Sequence, residues 1–373
     1  MTARMVLVGA GHAHAQVLRS WALQPLAGVE LVVVSPHAWA PYSGMVPGWL
    51  AGLYRYEDIV IDFAALCARA GARWVAGSII RLDPDGRRIQ LDNGDSLTWD
   101  WLSLNTGSTL VPPGVSAPTT VLSMRPLDRL RTDHDALLEG WRRTPSERPY
   151  RVTAVGGGAA GFESVLAVCQ RLRSLQPSRP VDAALVTRGD TLLPGYPDGA
   201  RRHALRALAN AGVDVRLGTA WTDDIGRESD LVLWATGAQT HAWQRTVQGR
   251  GALATSADGF VVVDRHLRSV SHPHVFAVGD CAQWATPLPK AGVYAVRMGP
   301  VLTRNLRAVL SGEPLSAYQP QRHYLSLLST ADGSAIASRG RWSLAGRWAW
   351  RWKDHIDRQF VRQFTVPSSG VSS

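Results

Sequence analysis

The chain has 373 residues, 45% of them hydrophobic and 19% charged, enough for two or three packed domains with sizeable cores. No apolar run reaches the roughly 20 residues of a membrane-crossing helix, no signal-peptide pattern precedes the first Val-rich run, and the three widely spaced cysteines, Cys67, Cys169 and Cys281, exclude a disulfide scaffold and a zinc knuckle. The net charge of +10 rests on scattered arginines without a basic recognition motif, so the expectation is a cytoplasmic protein that binds no nucleic acid.

In chain order, Met5 to Val8 reads as a strand, Gly9 and Gly11 as a glycine turn, Gln16 to Trp21 as a helix and Glu30 to Val34 as the next strand. In such a turn the first glycine permits the tight bend, the second lets a phosphate approach the backbone, and the following helix start, with His12 and Ala13, offers free N–H groups. His14 stands where a third small residue is usual, and Ser35 ends the next strand where an acid usually binds a ribose. At i and i+2 on a helix start, His12 and His14 do not face each other, so no metal site is expected.

The pattern returns near residue 152, with Val152 to Val155 as the strand and Gly156, Gly158 and Gly161 all in place before a helix opened by Phe162 and Glu163. The next strand, Ala183 to Thr187, ends in Arg188, which suits a 2′-phosphate or simply faces solvent. Each copy also ends in a buried strand meeting a Thr-Gly turn, Thr106-Gly107 and Thr236-Gly237, and a paired set of this kind points to an internal duplication. One further strand, from His274 to Val278, runs into Gly279, Asp280 and Cys281, where the aspartate also suits a helix cap.

Together these motifs resemble the two-dinucleotide-binding-domain flavoproteins of the pyridine nucleotide-disulfide oxidoreductase superfamily. The run P-Y-S-G-M-V-P-G from Pro41 to Gly48 replaces the redox cysteine pair of the disulfide reductases. It resembles NADH dehydrogenase-like oxidoreductases, including the part fused to selenophosphate synthetase in some proteins. The resemblance implies an α/β fold of two nested Rossmann-like domains: an FAD-binding domain from 1–125 and 250–312, an NAD(P)-binding domain from 126–249, and a small C-terminal α+β region from 313–373. It implies FAD as cofactor and NADH or NADPH as electron donor, with hydride accepted at flavin N5 and no redox disulfide.

On the same ground Asp280 would hold the ribityl chain, Glu163 would lie near the nicotinamide, and Tyr42, Ser43 and Gly44 would touch the isoalloxazine. Lys290, Ala291, Gly292 and Tyr294 would bring charge and a helix start to the flavin's pyrimidine end. The bland alternatives are a helix-terminal carboxylate for Glu163, a solvated loop lysine for Lys290 and a plain turn for Tyr42 and Ser43. Cys281 has no partner cysteine nearby in sequence and reads as structural.

From Arg339 onward tryptophans alternate with arginines, and Trp348, Trp352, Ile356, Phe360 and Phe364 recur every four residues as an apolar helical stripe. The stripe fits peripheral contact with an anionic membrane surface, and equally packing on the chain's own core or in a homodimer. A membrane position would favour a quinone as acceptor and its absence a soluble one; a sulfur or selenium species is the less favoured variant, since no cysteine pair is evident for it. A second class, a flavin-binding redox sensor with little turnover, stays open, and the closing S-S-G-V-S-S is expected to lack order.

Overall fold

The computed structural model describes residues 2–115, 118–144, 147–246 and 251–365, so the closing S-S-G-V-S-S lies outside the described residues. The Val-rich run becomes the strand Ala3–Val8, whose Met5, Val6 and Leu7 are fully buried. Met5 and Leu7 pack on helices, and Val6 and Val8 on the antiparallel strands Ile79–Asp83 and Arg88–Leu91, so with both faces covered the run is continuously apolar rather than alternating. It is central in a five-stranded parallel sheet, between Val29–Ser35 and Trp101–Leu104, with Arg73–Ala76 and Val275–Ala277 at the edges.

The second copy repeats the plan. Tyr150–Val155 is central, Val181–Val186 and Val213–Arg216 lie to one side, and Leu231–Trp234 and Thr120–Ser123 to the other. In both sheets the chain leaves the central strand one way and later returns on its other side, which opens a crevice at the strands' C-terminal ends. The glycine turns sit in those crevices, each followed by a helix: His12–Leu23 in the first copy and Ala159–Leu175 in the second.

Two local expectations are corrected. Asp280 caps no helix: Gly279–Cys281 is a 3-10 turn followed by the two-residue strand Ala282–Gln283, and the long helix begins only at Gly292. The tail forms a three-stranded antiparallel sheet, Ser326–Ser329, Ala335–Arg339 and Trp342–Gly346, and then the helix Arg347–Arg362. That helix does not bury the predicted tryptophan stripe, since Trp348 and Trp352 are 45% and 39% exposed. Its buried line is Ala349, Lys353, Asp357 and Val361, one position on, because an ion pair is taken inward while the stacked indoles stay outside. Of the predicted stripe, Phe360 packs against Tyr42 and Phe364 is buried.

Candidate active site

The crevice of the first sheet holds a cavity of about 460 Å³. Gly9, at φ +100°, and Gly11 line it because a Cβ on either would meet Asn105, at 2.5 Å from its carbonyl oxygen and 2.0 Å from its side-chain oxygen respectively. Asn105 joins the parts: its Oδ1 accepts from the N–H groups of Ala13 at 3.2 Å and His14 at 3.4 Å, and its Nδ2 donates to the Val278 carbonyl at 3.1 Å. His14 fills the place expected of a small residue. Burial holds its pKa down at about 4, so the ring is neutral: Nδ1 donates to the Gly9 carbonyl at 2.7 Å and Nε2 accepts from Ser103 Oγ at 2.9 Å.

His12 and Ser35 also line the cavity. His12 stands edge-on to Tyr42 at 5.2 Å, turned away from the His14 contacts, while Ser35 donates to the His37 carbonyl at 3.0 Å. Thr106, beside Gly107 on the same wall, keeps a buried hydroxyl without a hydrogen-bond partner. A buried orphan hydroxyl is costly unless a ligand satisfies it. With the glycine cradle, it makes the residues present fit a flavin dinucleotide.

The cation in this cavity is one the sequence did not reveal. Arg125 Nη1 lies 2.6 Å from Asp280 Oδ2 and also donates to Ser108 Oγ, while Nη2 reaches the Lys290 carbonyl at 3.5 Å. Arg125 follows a strand of the second sheet and Asp280 a strand of the first, so the pair ties one copy to the other across the cavity. Lys290 borders it through that carbonyl, but its side chain does not line it. Its ammonium donates to the Ala282 carbonyl at 2.7 Å and sits 3.6 Å over the Phe260 ring, and burial lowers its pKa. Of its neighbours, Gly292 lines the cavity against Ser43, whereas Ala291 and Tyr294 pack into the core. Arg125→Met is expected to weaken FAD retention about tenfold, as loss of one charge-assisted contact should. Fluorescence of released flavin during dilution measures it, and unchanged retention would remove Arg125 from the site.

A second cluster lies where the tail helix crosses the P-Y-S-G-M segment. Lys353, 4% exposed, donates to the Gly44 carbonyl at 2.6 Å and to Asp357 Oδ2 at 2.5 Å. The Tyr42 hydroxyl donates to Asp357, and the Tyr42 ring packs on Phe360 at 4.4 Å. Glu163 accepts from the Ser329 N–H at 2.7 Å. Burial lifts its pKa to about 7, against the pull of Lys353 and the Ser329 N–H. Burial likewise raises Asp357. The Lys353 ammonium thus pairs with Asp357 and acts on Glu163 only through its field, and Glu163 keeps a proton up to about neutrality. Tyr42 and Glu163 are singled out through the family resemblance, whereas Lys353 and Asp357 have no signal of their own, since their spacing is that of any surface ion pair.

In the second crevice Gly156, at φ +126°, turns the chain, and Gly161 lies so close that a Cβ would sit 1.9 Å from the Gly156 carbonyl. Gly158 precedes the helix, Thr236 packs beside Gly156, and Gly237 turns at φ +75°. Arg188 lies at the surface beyond Val181–Val186. Cys67, Cys169 and Cys281 are separate, buried free thiols.

Over residues 3–299 the sequence matches the family described as Pyridine nucleotide-disulphide oxidoreductase. It is 21% identical over 362 residues to a Type II NADH:quinone oxidoreductase of Staphylococcus saprophyticus, covering 89% of each chain. Among solved structures, it superposes on the sulfide:quinone oxidoreductase of Aquifex aeolicus with a TM-score of 0.76 at 17% identity, covering 98% of this chain and 93% of that one. It also superposes on NDH2 of Plasmodium falciparum in complex with NADH, with a TM-score of 0.75 at 11% identity, covering 97% and 98%.

Proposed function

Because the chain belongs to the pyridine nucleotide-disulphide oxidoreductase family and is an NAD(P)H-dependent FAD oxidoreductase, we propose that it passes electrons to a quinone, with protons from the Glu163, Lys353, Asp357 and Tyr42 cluster. When bound, FAD supplies the two-electron relay between nicotinamide and acceptor. Gly9, Gly11, Thr106, Arg125 and Asp280 would hold it, and the second glycine turn would seat the nicotinamide nucleotide.

The observation that carries the acceptor reading is the buried cluster. Reducing a quinone to a quinol consumes two protons with two electrons, and this cluster keeps a proton on hand near neutral pH beside the P-Y-S-G-M segment. Lys353 orients Asp357 and the Gly44 carbonyl, Asp357 holds the Tyr42 hydroxyl, and Glu163 is the group that titrates in the working range. The relative from Staphylococcus saprophyticus and the neighbour from Aquifex aeolicus both carry quinone in their names, which supports the choice.

The quinone would arrive from a membrane surface. Trp342, Leu344, Trp348 and Trp352 are exposed near the same end of the chain as the exposed Arg341, Arg347 and Arg351, a pairing that suits anionic lipid. Among the described residues no helix is long and apolar enough to cross a membrane.

Quinone reduction by pre-reduced enzyme is expected to slow as pH rises through about 7, where Glu163 gives up its proton, and Glu163→Gln should flatten that fall. Stability carries the same signature. The folded value lies above the unfolded 4.5, so the folded chain binds more protons between those values, and stability drops as pH rises across that window. A wild-type profile flat from pH 6 to about 8 would remove Glu163 from the acceptor chemistry.

A further inference from the structure

The two glycine turns are built alike, but the strands beside them end in different charge. In the first copy Val29–Ser35 closes on Ser35, 4% exposed, whose hydroxyl is used on the His37 carbonyl. His37 in turn faces Asp128 at 2.9 Å.

In the second copy the strand Val181–Val186 is followed by Thr187, which lies against the glycine turn: a Cβ added at Gly157 would be 2.9 Å from the Thr187 side chain. The end of this strand is where a site for an unphosphorylated adenosine ribose places a carboxylate. Thr187 has no charge to offer there. Arg188 comes next, exposed, and among the described residues no carboxylate forms an ion pair with it. Asp190, on the same turn, is exposed and is not paired with it, while Arg216 on the neighbouring strand is held by Asp214 at 2.7 Å. The turn is fixed in place, since the Thr219 N–H donates to the Thr187 carbonyl at 2.8 Å and the Gly218 N–H to the Gly189 carbonyl at 2.9 Å.

We infer that Arg188 makes the second crevice selective for a 2′-phosphorylated adenosine ribose, so that NADPH rather than NADH is the preferred donor. The inference rests on the reading of that crevice as the nicotinamide-nucleotide site. A guanidinium matches two phosphate oxygens with two parallel N–H groups, whereas the carboxylate usual here would repel them. Because Arg188 is exposed, the attraction weakens as salt rises.

The test is calorimetric titration of the FAD-loaded protein with 2′,5′-ADP and with 5′-AMP, fragments that carry no nicotinamide and transfer no electrons. The 2′-phosphate is expected to tighten binding about tenfold. Arg188→Ala should bring the two ligands to equal affinity while leaving 5′-AMP unchanged, which also reports an intact crevice. Equal affinities in the wild type, a preference that survives Arg188→Ala, or failure of both fragments to bind would each overturn the inference. A preference for 2′,5′-ADP in a protein whose flavin NADPH does not reduce would leave the selectivity standing and sink the hydride-transfer reading instead.

Discussion

Lys353→Met is expected to cut quinone reduction by about a hundredfold while leaving reduction of the flavin by NAD(P)H near its wild-type rate, the range lost when a positioned proton-transfer system is dismantled. Among the described residues the ammonium is the only positive charge paired with Asp357; it lies 2.6 Å from the Gly44 carbonyl and opposes the burial that lifts Glu163. Its loss also leaves Asp357 buried without a countercharge, so stability should fall by about 3–5 kcal/mol. A second variant separates the two effects. Lys353→Met with Asp357→Leu removes both charges and should regain much of the stability, because an apolar pair of similar volume avoids the desolvation cost. It should not regain quinone reduction. Stopped-flow measurement of each half-reaction, beside thermal unfolding, decides between outcomes. Equal slowing of both halves, or recovery of quinone reduction in the double variant, would make the pair merely structural.

Gly11→Ala should yield a protein that folds but purifies with little flavin. The added Cβ would stand 2.0 Å from Asn105 Oδ1 and 2.7 Å from the Asn105 carbonyl oxygen. The side chain can swing aside, but the carbonyl belongs to a backbone fixed by the Asn105 N–H bond to the Val8 carbonyl. Relief therefore moves the glycine turn, and with it the cavity wall and the Ala13 and His14 contacts to Asn105. Overpacking of this kind costs about 1–3 kcal/mol, equivalent to about fivefold to 150-fold in FAD affinity. Gly114→Ala is the control, since a Cβ there meets nothing within 4 Å. Absorbance of the purified variants gives flavin per chain. A fully yellow Gly11→Ala protein would show that the cavity is not the flavin site.

Sequence made the scaffold legible because its signals are local. A buried parallel strand, a glycine turn and a helix start lie within about fifteen residues of one another, and each copy repeats the set. The glycines, Thr106, Gly107, Thr236 and Gly237 stand in those local patterns, whereas Asp280 is singled out only through the family resemblance. Residues whose roles depend on distant partners could not be read in this way. Arg125 meets Asp280 across 155 positions and Lys353 meets Gly44 across 309, so neither has a signature in its own neighbourhood. Lys290 meets the cavity through its carbonyl, which Arg125 reaches, while its ammonium lies over the ring of Phe260, a placement its loop did not announce. His14 broke the glycine fingerprint only in appearance. Its neutral ring bridges Gly9 and Ser103, a contact set by the pairing of Ala3–Val8 with Trp101–Leu104. In the tail the four-residue period correctly announced a helix but not which face turns inward, because a buried Lys–Asp pair defeats any rule that equates burial with apolar residues.

Anaerobic titration of the FAD-loaded protein with NADPH, followed by addition of a short-chain quinone, tests the central claim most directly. An enzyme whose only redox group is the flavin should bleach completely with one equivalent of donor per FAD and return to the oxidised spectrum with one equivalent of quinone. Bleaching that needs two equivalents would reveal a second two-electron centre, and a flavin that neither NADPH nor NADH bleaches would contradict the account outright.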